Sequence, residues 1–309
     1  MKTYSIAIHG GAGTLVKGMM TKNLENQYKA ALKEALNAGF SVLANGGASV
    51  DAVKESVIIL ENSHLFNAGK GAVFTADGTH EMDASIMDGK SLNAGAVSLI
   101  SGIKNPISLA YDVMEKSEHV FLAGEGAMKF AKMNNYTTEP ASYFFDDFRH
   151  EQWHEIKDTD SFQLDHAKKK DSKFGTVGAV ACDINGNIAA ATSTGGMTNK
   201  RFGRVGDSPM IGAGNYANNK TCAISCTGSG EFFIRGVVAY DVACLIEHKG
   251  MSLSDASNEV IHKRILEIGG DGGLIAVDSK GNISMPFNTE GMYRATKSSN
   301  GFEEISIYK

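Results

Sequence analysis

The sequence predicts an α+β fold in which helices cover stacked β-sheets. Three observations carry this reading. Apolar runs of strand character outnumber helical ones, the helices flank them in pairs, and glycine turns join strand to strand; 35 of the 309 residues are glycine and only 4 are proline. A chain of this length forms one large domain or two small ones and buries a substantial core.

Tyr4–His9 is a short strand running into Gly10-Gly11-Ala12-Gly13. A phosphate loop is excluded there: no Gly-Lys-Ser/Thr follows, and the next helix begins only near Lys22. A tight turn packed near other backbone is expected instead. Leu24, Tyr28, Leu32, Leu36 and Phe40 recur at helical spacing, and Ser49 reads as the N-cap of a second helix carrying Val53, Val57 and Leu60. The loop from Leu60 to Gly71 holds apolar residues whose backbone carbonyls need partners. An ordinary packed loop is the simpler reading; a carbonyl cage around a hard cation is the alternative.

Val73–Asp88 alternates about a hairpin turn at Asp77-Gly78, Ala94–Ile100 is a strand, Pro106 opens a helix through Glu115, and Glu125–Met133 is another helix. Residues 135–173 break the pattern. Phe144, Phe145, Phe148 and Trp153 imply that the first half packs on something, while Asp165–Lys173 reads as an exposed linker. Val177–Cys182 and Ile188–Ala191 flank Asp183-Ile184-Asn185-Gly186 as a hairpin, which brings Thr192–Gly196 beside Thr176. Thr221–Cys226 is a strand, one long helix spans Phe232 to about His248, Ser252 or Ser254 caps another to Ile268, and Gly272–Asn288 is a hairpin reusing the first turn in the same sheet system.

Formal net charge is −5, which gives no reason to expect nucleic acid or an anionic membrane as partner. The cysteines make no Cys-x-x-Cys pair and read as buried free thiols. With no signal-peptide pattern and no apolar run of spanning length, a cytoplasmic location is expected.

A threonine after a glycine at a strand start is ordinary by itself, and its hydroxyl needs activation to act as a nucleophile. No Ser-His-Asp arrangement suggests itself. A free α-amine on the threonine would serve as base, being partly neutral near pH 7 with a pKa of about 7.7–8.0. Thr176 gains such an amine only if the Gly175–Thr176 bond is cut. Thr227-Gly228-Ser229-Gly230, where a strand becomes a helix, could supply oxyanion donors or simply start the helix. Arg204 and Asp207 share one glycine loop; they are either a local ion pair or a clamp for the carboxylate and ammonium of an amino acid.

Eight collinear blocks then carry a resemblance. They are I-H-G-G-A-G at Ile8–Gly13, F-N-A-G-K-G at Phe66–Gly71, E-M-D-A-S-I at Glu81–Ile86, G-T-V-G-A-V at Gly175–Val180, T-S-T-G-G-M-T-N-K at Thr192–Lys200, G-R-V-G-D-S-P at Gly203–Pro209, C-T-G-S-G-E at Cys226–Glu231 and P-F-N-T-E-G-M-Y-R at Pro286–Arg294. With them the chain resembles the plant-type L-asparaginases, or isoaspartyl (β-aspartyl) peptidases, of the N-terminal-nucleophile hydrolases. The resemblance implies an αββα sandwich and a precursor that cuts itself into residues 1–175 and 176–309, with two such precursors forming an (αβ)2 assembly. It implies that Thr176 is the nucleophile, supported by Thr194, and that Asn67 lies near it. Arg204 and Asp207 would hold the substrate α-carboxylate and α-amine, Thr227 and Gly228 would form the oxyanion hole, and Gly230 would adjoin the substrate. A structural sodium ion would sit on the backbone carbonyls of Leu60, Glu61, Ser63, Phe66, Ala68 and Lys70. Lys70 departs from the bacterial members, which carry an apolar residue there, and Phe202 is a second departure. The implied activity is hydrolysis of L-asparagine and β-aspartyl dipeptides, with no cofactor in the chemistry. The alternatives are a glycosylasparaginase-like hydrolase and an uncut amino-acid-binding protein.

Overall fold

The computed structural model describes residues 3–157, 159 and 175–309. The exposed linker expected at Asp165–Lys173 lies outside the described residues.

In chain order the first half contains β1 (Ser5–Gly13), α1 (Lys22–Ala44), α2 (Ser49–Asn62), β2 (Met82–Asp88), β3 (Ala94–Ile100), α3 (Pro106–Lys116), β4 (Phe121–Ala123), α4 (Gly124–Met133), α5 (Ala141–Phe144) and α6 (Asp147–Ile156). The second half contains β5 (Val177–Cys182), β6 (Ile188–Thr194), β7 (Asn215–Ala217), β8 (Ala223–Gly228), α7 (Gly230–Gly236), α8 (Val238–Lys249), α9 (Leu253–Glu259), a π-helical turn at Val260–Arg264, α10 (Ile265–Glu267), β9 (Gly272–Val277), β10 (Ile283–Ser284), β11 (Gly291–Ser298) and β12 (Glu303–Tyr308). The larger sheet runs β12-β11-β1-β5-β6-β2-β3-β4 and the smaller β10-β9-β8-β7. All pairings are antiparallel except β3 with β4.

Strand alternation sorts the buried residues into layers. On one face of the large sheet Ile6, Ile8, Val177, Ala179, Ala181, Ala189 and Ala191 pack with α1, α2 and α3. On its other face Ala7, Val180, Cys182, Ile188 and Ala190 meet Ala223, Ile275 and Val277 of the small sheet. The far face of the small sheet, with Ile224, Cys226, Leu274 and Ala276, is covered by α8 and α9. Helix, sheet, sheet, helix is the expected αββα sandwich. The central strands, such as β5 and β6, read as continuous apolar runs because both of their faces are buried.

Several local expectations change. Asp77-Gly78 does make a tight turn, Gly78 N–H donating to the Thr75 carbonyl at 3.0 Å, but only β2 follows it as a strand. The hairpin in this region is β2–β3 instead. Ser49 is the first helical residue of α2, after Ala48 at the cap. Ser252 does cap α9, its Oγ accepting from Asp255 N–H at 3.1 Å. The single helix expected from Phe232 to His248 is broken at Val237, which has φ +47°. The break lets Ala239 and Tyr240 N–H donate to the Ala213 and Gly212 carbonyls, at 3.1 and 2.8 Å, and so docks the loop before β7 onto α8. Within 135–173, α5 and α6 are ordered; Trp153 stacks on Phe74 at 5.7 Å, which accounts for the aromatics there. Asp183 and Asp278 each accept two N–H groups of their own turn on Oδ1, and each turn places its glycine at φ above +80°. One turn solution is thus used twice, but in two different sheets. Among the described residues no helix is long and apolar enough to cross a membrane.

Candidate active site

Thr176 stands where β5 begins, buried between the two sheets' ends. The β5–β6 register pairs Val177 with Ser193, so Thr176 falls opposite Thr194. Thr176 Oγ1 lies 3.3 Å from Ser208 Oγ, and Thr194 Oγ1 accepts the Gly196 N–H at 3.0 Å, which shapes the turn leaving β6. Thr176, Thr194, Gly175, Gly196, Arg204, Gly206, Asp207, Ser208 and Gly228 line one cavity of about 30 Å³. A water needs about 10–15 Å³ of such space, so a water or two fits beside the hydroxyl.

The glycine run of β1 explains how the bond before Thr176 is held. The β1–β11 pairing shifts register between His9 and Ala12, and Gly11 adopts φ +110°. A Cβ on Gly11 would lie 2.6 Å from the Gly175 nitrogen. The expected close backbone approach is therefore present, as a strand bulge against Gly175. Thr227 is fully buried at the end of β8; its Oγ1 accepts Ala12 N–H at 3.3 Å and would lie 3.2 Å from a Cβ on Gly175. Accepting there leaves its own hydroxyl proton free to donate toward the Gly175 region. Gly228, at φ +155°, follows. Ser229 bonds the Asp271 carboxylate instead of capping α7.

Arg204 and Asp207 are not a mutual ion pair. Arg204 Nε and Nη2 donate to Glu231 Oε1 and Oε2, at 2.8 and 3.0 Å. Asp207 is 3% exposed, and its Oδ2 has no hydrogen-bond partner among the described residues. Burial pushes its carboxyl up to about 7, with the Arg204 charge opposing. Gly230 separates the two: a Cβ there would lie 2.8 Å from Arg204 Nη2 and 3.0 Å from Asp207 Oδ1.

Asn67 sits behind the turn rather than at the hydroxyl. Its Nδ2 donates to the Gly196 carbonyl at 2.7 Å, its Oδ1 accepts Val73 N–H at 3.1 Å, and its carbonyl accepts Gly195 N–H at 3.0 Å. Its contacts make it a support for Thr194–Gly196. His9 cannot be the base: it is fully buried, and desolvation takes it down to about 3, against an interaction with the Thr176 backbone. Its Nε2 meets Ser225 Oγ at 2.9 Å.

In the loop after α2, glycines make way for carbonyls. A Cβ on Gly69 would strike the Glu61 carbonyl, and one on Gly71 would strike those of His64 and Phe66. Of the six carbonyls expected to face a cation, those of Leu60, Phe66 and Ala68 accept the Ser63, Ala68 and Gly71 N–H groups at 3.2, 2.9 and 3.2 Å, which leaves each a second lone pair. Lys70 lies 5.5 Å over the Tyr143 ring, drawn onto α5. Among the described residues no cluster of three or more His, Cys, Asp or Glu could hold a metal.

Sequence reading missed Ser208, Glu231, Lys200 and Asp83. Lys200 is buried and donates to the Glu81 carbonyl at 2.6 Å; Asp83, fully buried and raised by desolvation, pairs with Thr194 across β2–β6. Polar residues inside apolar strands, as at Asp83 and Ser85, were the available signal.

The αββα layering with a threonine at the open end of a central strand is the architecture of the N-terminal-nucleophile hydrolases. The chain belongs to the asparaginase family, which it matches over residues 2–307, and it is a hydrolase. It is 49% identical to the isoaspartyl peptidase of Salmonella typhimurium over 307 residues, covering 98% of both chains. With the isoaspartyl peptidase of Escherichia coli it shares 48% identity, covering 98% of this chain and 96% of the relative. The plant-type L-asparaginase of Pyrococcus horikoshii is 44% identical over 299 residues, covering 93% and 94%.

Proposed function

We propose that this chain hydrolyses L-asparagine and β-aspartyl dipeptides through Thr176, after cutting its own Gly175–Thr176 bond. The observation that supports this most is the buried Asp207 carboxyl, its Oδ2 without a hydrogen-bond partner among the described residues, beside Arg204 in the cavity at Thr176. An α-amino acid carries the ammonium and carboxylate that would satisfy both.

In the uncut chain the Thr176 nitrogen is an amide and cannot act as a base. The Thr176 hydroxyl adds to the Gly175 carbonyl, the C–N bond breaks, and the Gly175 acyl group moves to Oγ as an ester. Water hydrolyses that ester, giving the Gly175 carboxylate and a free Thr176 amine. In the cut enzyme the amine takes the hydroxyl proton as Oγ attacks the substrate's side-chain carbonyl, and a proton returns to the departing ammonia or amine. The aspartyl ester is then hydrolysed. Thr227 and Gly228 stabilise the oxyanion, and losing one such donor typically costs about 3–4 kcal/mol. The carbonyls of Leu60, Glu61, Ser63, Phe66, Ala68 and Lys70 would hold a sodium ion, which would stiffen the loop that carries Asn67. Two cut precursors associate as (αβ)2.

Mass spectrometry of the purified protein tests the reading: pieces of roughly 19 and 14 kDa, the smaller beginning Thr-Val-Gly-Ala. Thr176→Ala should neither split nor hydrolyse, and Thr176→Ser should retain part of both. Splitting or hydrolysis by the alanine variant, with the fold intact, would remove Thr176 from the mechanism.

A further inference from the structure

Glu231 stands in the first turn of α7 and is half exposed, yet both of its oxygens are committed to Arg204. A guanidinium offers two forked edges, one through Nε and Nη2 and one through the two terminal nitrogens. Glu231 occupies the first. The second faces two glycines: a Cβ on Gly206 would lie 2.8 Å from Nη1, and one on Gly230 would lie 2.8 Å from Nη2. Neither glycine puts a side chain between that edge and the cavity at Thr176, which Arg204 itself lines. Asp207, in the same cavity, takes no ion pair from Arg204 among the described residues.

We propose that Glu231 is a positioning residue for substrate binding: by holding the Nε/Nη2 edge of Arg204, it presents the Nη1/Nη2 edge to the substrate α-carboxylate. This rests on the amino-acid reading of the site given above. A long arginine side chain otherwise has to be ordered when substrate arrives, and the ion pair orders it beforehand. A half-exposed pair of this kind adds little to stability, so a purely structural role would be nearly silent. Glu231 also keeps Arg204 from collapsing onto Asp207, which leaves that carboxylate for the substrate ammonium.

The test compares parent, Glu231→Gln, Glu231→Ala, Arg204→Ala and the Arg204→Ala/Glu231→Ala double variant, each after self-cleavage. The readouts are kcat and KM for L-asparagine and the inhibition constant of L-aspartate. Glu231→Ala should raise KM and the aspartate constant together by about tenfold, with kcat within about threefold of the parent. Glu231→Gln, which keeps one acceptor and the side-chain shape, should fall between. In the Arg204→Ala background, removal of Glu231 should have no further effect, followed by the thermal shift produced by aspartate if turnover is too slow. An unchanged or lowered KM in both Glu231 variants, or the same factor in both backgrounds, would overturn the proposal. If Arg204→Ala itself left KM unaltered, the amino-acid reading would fall instead.

Discussion

Asp207 sets stability against function, and replacing it by asparagine separates the two. Burial raises its carboxyl from the ordinary 3.8 to about 7. Because the folded value lies above the unfolded one, the folded protein takes up the proton more readily. The associated stability is fully present below pH 3.8 and is lost as pH rises through 7. A shift of roughly three units at about 1.4 kcal/mol each makes the ionised form cost about 4 kcal/mol at pH 8. The asparagine amide keeps the shape and loses the charge, but it leaves its own polar group unpaired at a cost of about 1–3 kcal/mol. Asp207→Asn should therefore gain about 1–3 kcal/mol near pH 8, a rise of a few degrees in Tm, and gain nothing below about pH 4. Under the proposed function the same change removes the partner of the substrate ammonium, a charged contact of about 1.5–3 kcal/mol, so kcat/KM should fall about 10–150-fold. Thermal melts across pH, beside steady-state kinetics on L-asparagine, read both effects. A variant that is less stable than the parent at pH 8, or that keeps kcat/KM within about threefold, would refute the reasoning.

Gly11→Ala should slow or stop self-cleavage, because its Cβ would press 2.6 Å from the Gly175 nitrogen from a backbone at φ +110°. Splitting at the parent rate on gels would show that the bulge does not hold the bond. Val237→Gly should stabilise the fold by up to about 1 kcal/mol in urea melts, since a β-branched residue at φ +47° is strained, offset by greater freedom when unfolded. Sodium chloride should stabilise the fold over choline chloride of equal ionic strength by about 3 kcal/mol once sodium is at a hundred times its Kd, seen as a higher Tm. A Tm that follows ionic strength alone would exclude the cation.

The layers were legible in the sequence because both faces of the central strands, such as β5 and β6, are buried, so apolar runs and turn aspartates mark them directly. That Thr194 falls opposite Thr176 was legible because the hairpin register follows from the turn at Asp183–Gly186. What was not legible depends on distant segments meeting. Glu231 takes Arg204 from 27 positions away, Ser208 reaches Thr176 across a loop, and Gly11 meets Gly175 only in the folded sheet. The break at Val237 was hidden because helical spacing says nothing about the Gly212 and Ala213 carbonyls that replace the helix's own bonds.

The order of the large sheet has a consequence for refolding. β1 lies between β11 and β5, and β6 lies against β2, so strands from either side of Gly175 alternate across it. In the large sheet a molecule cut at that bond cannot come apart without breaking the β11–β1, β1–β5 and β6–β2 pairings. The cut chain, once unfolded, becomes two diffusing polypeptides, and their recovery turns into a second-order process that slows on dilution and competes with aggregation. The uncut chain refolds as one polypeptide, at a rate independent of its concentration. Brief heating should then be survivable for an uncut chain and largely irreversible for a cut one: a cut molecule would last by the height of its unfolding barrier, not by any power to reassemble.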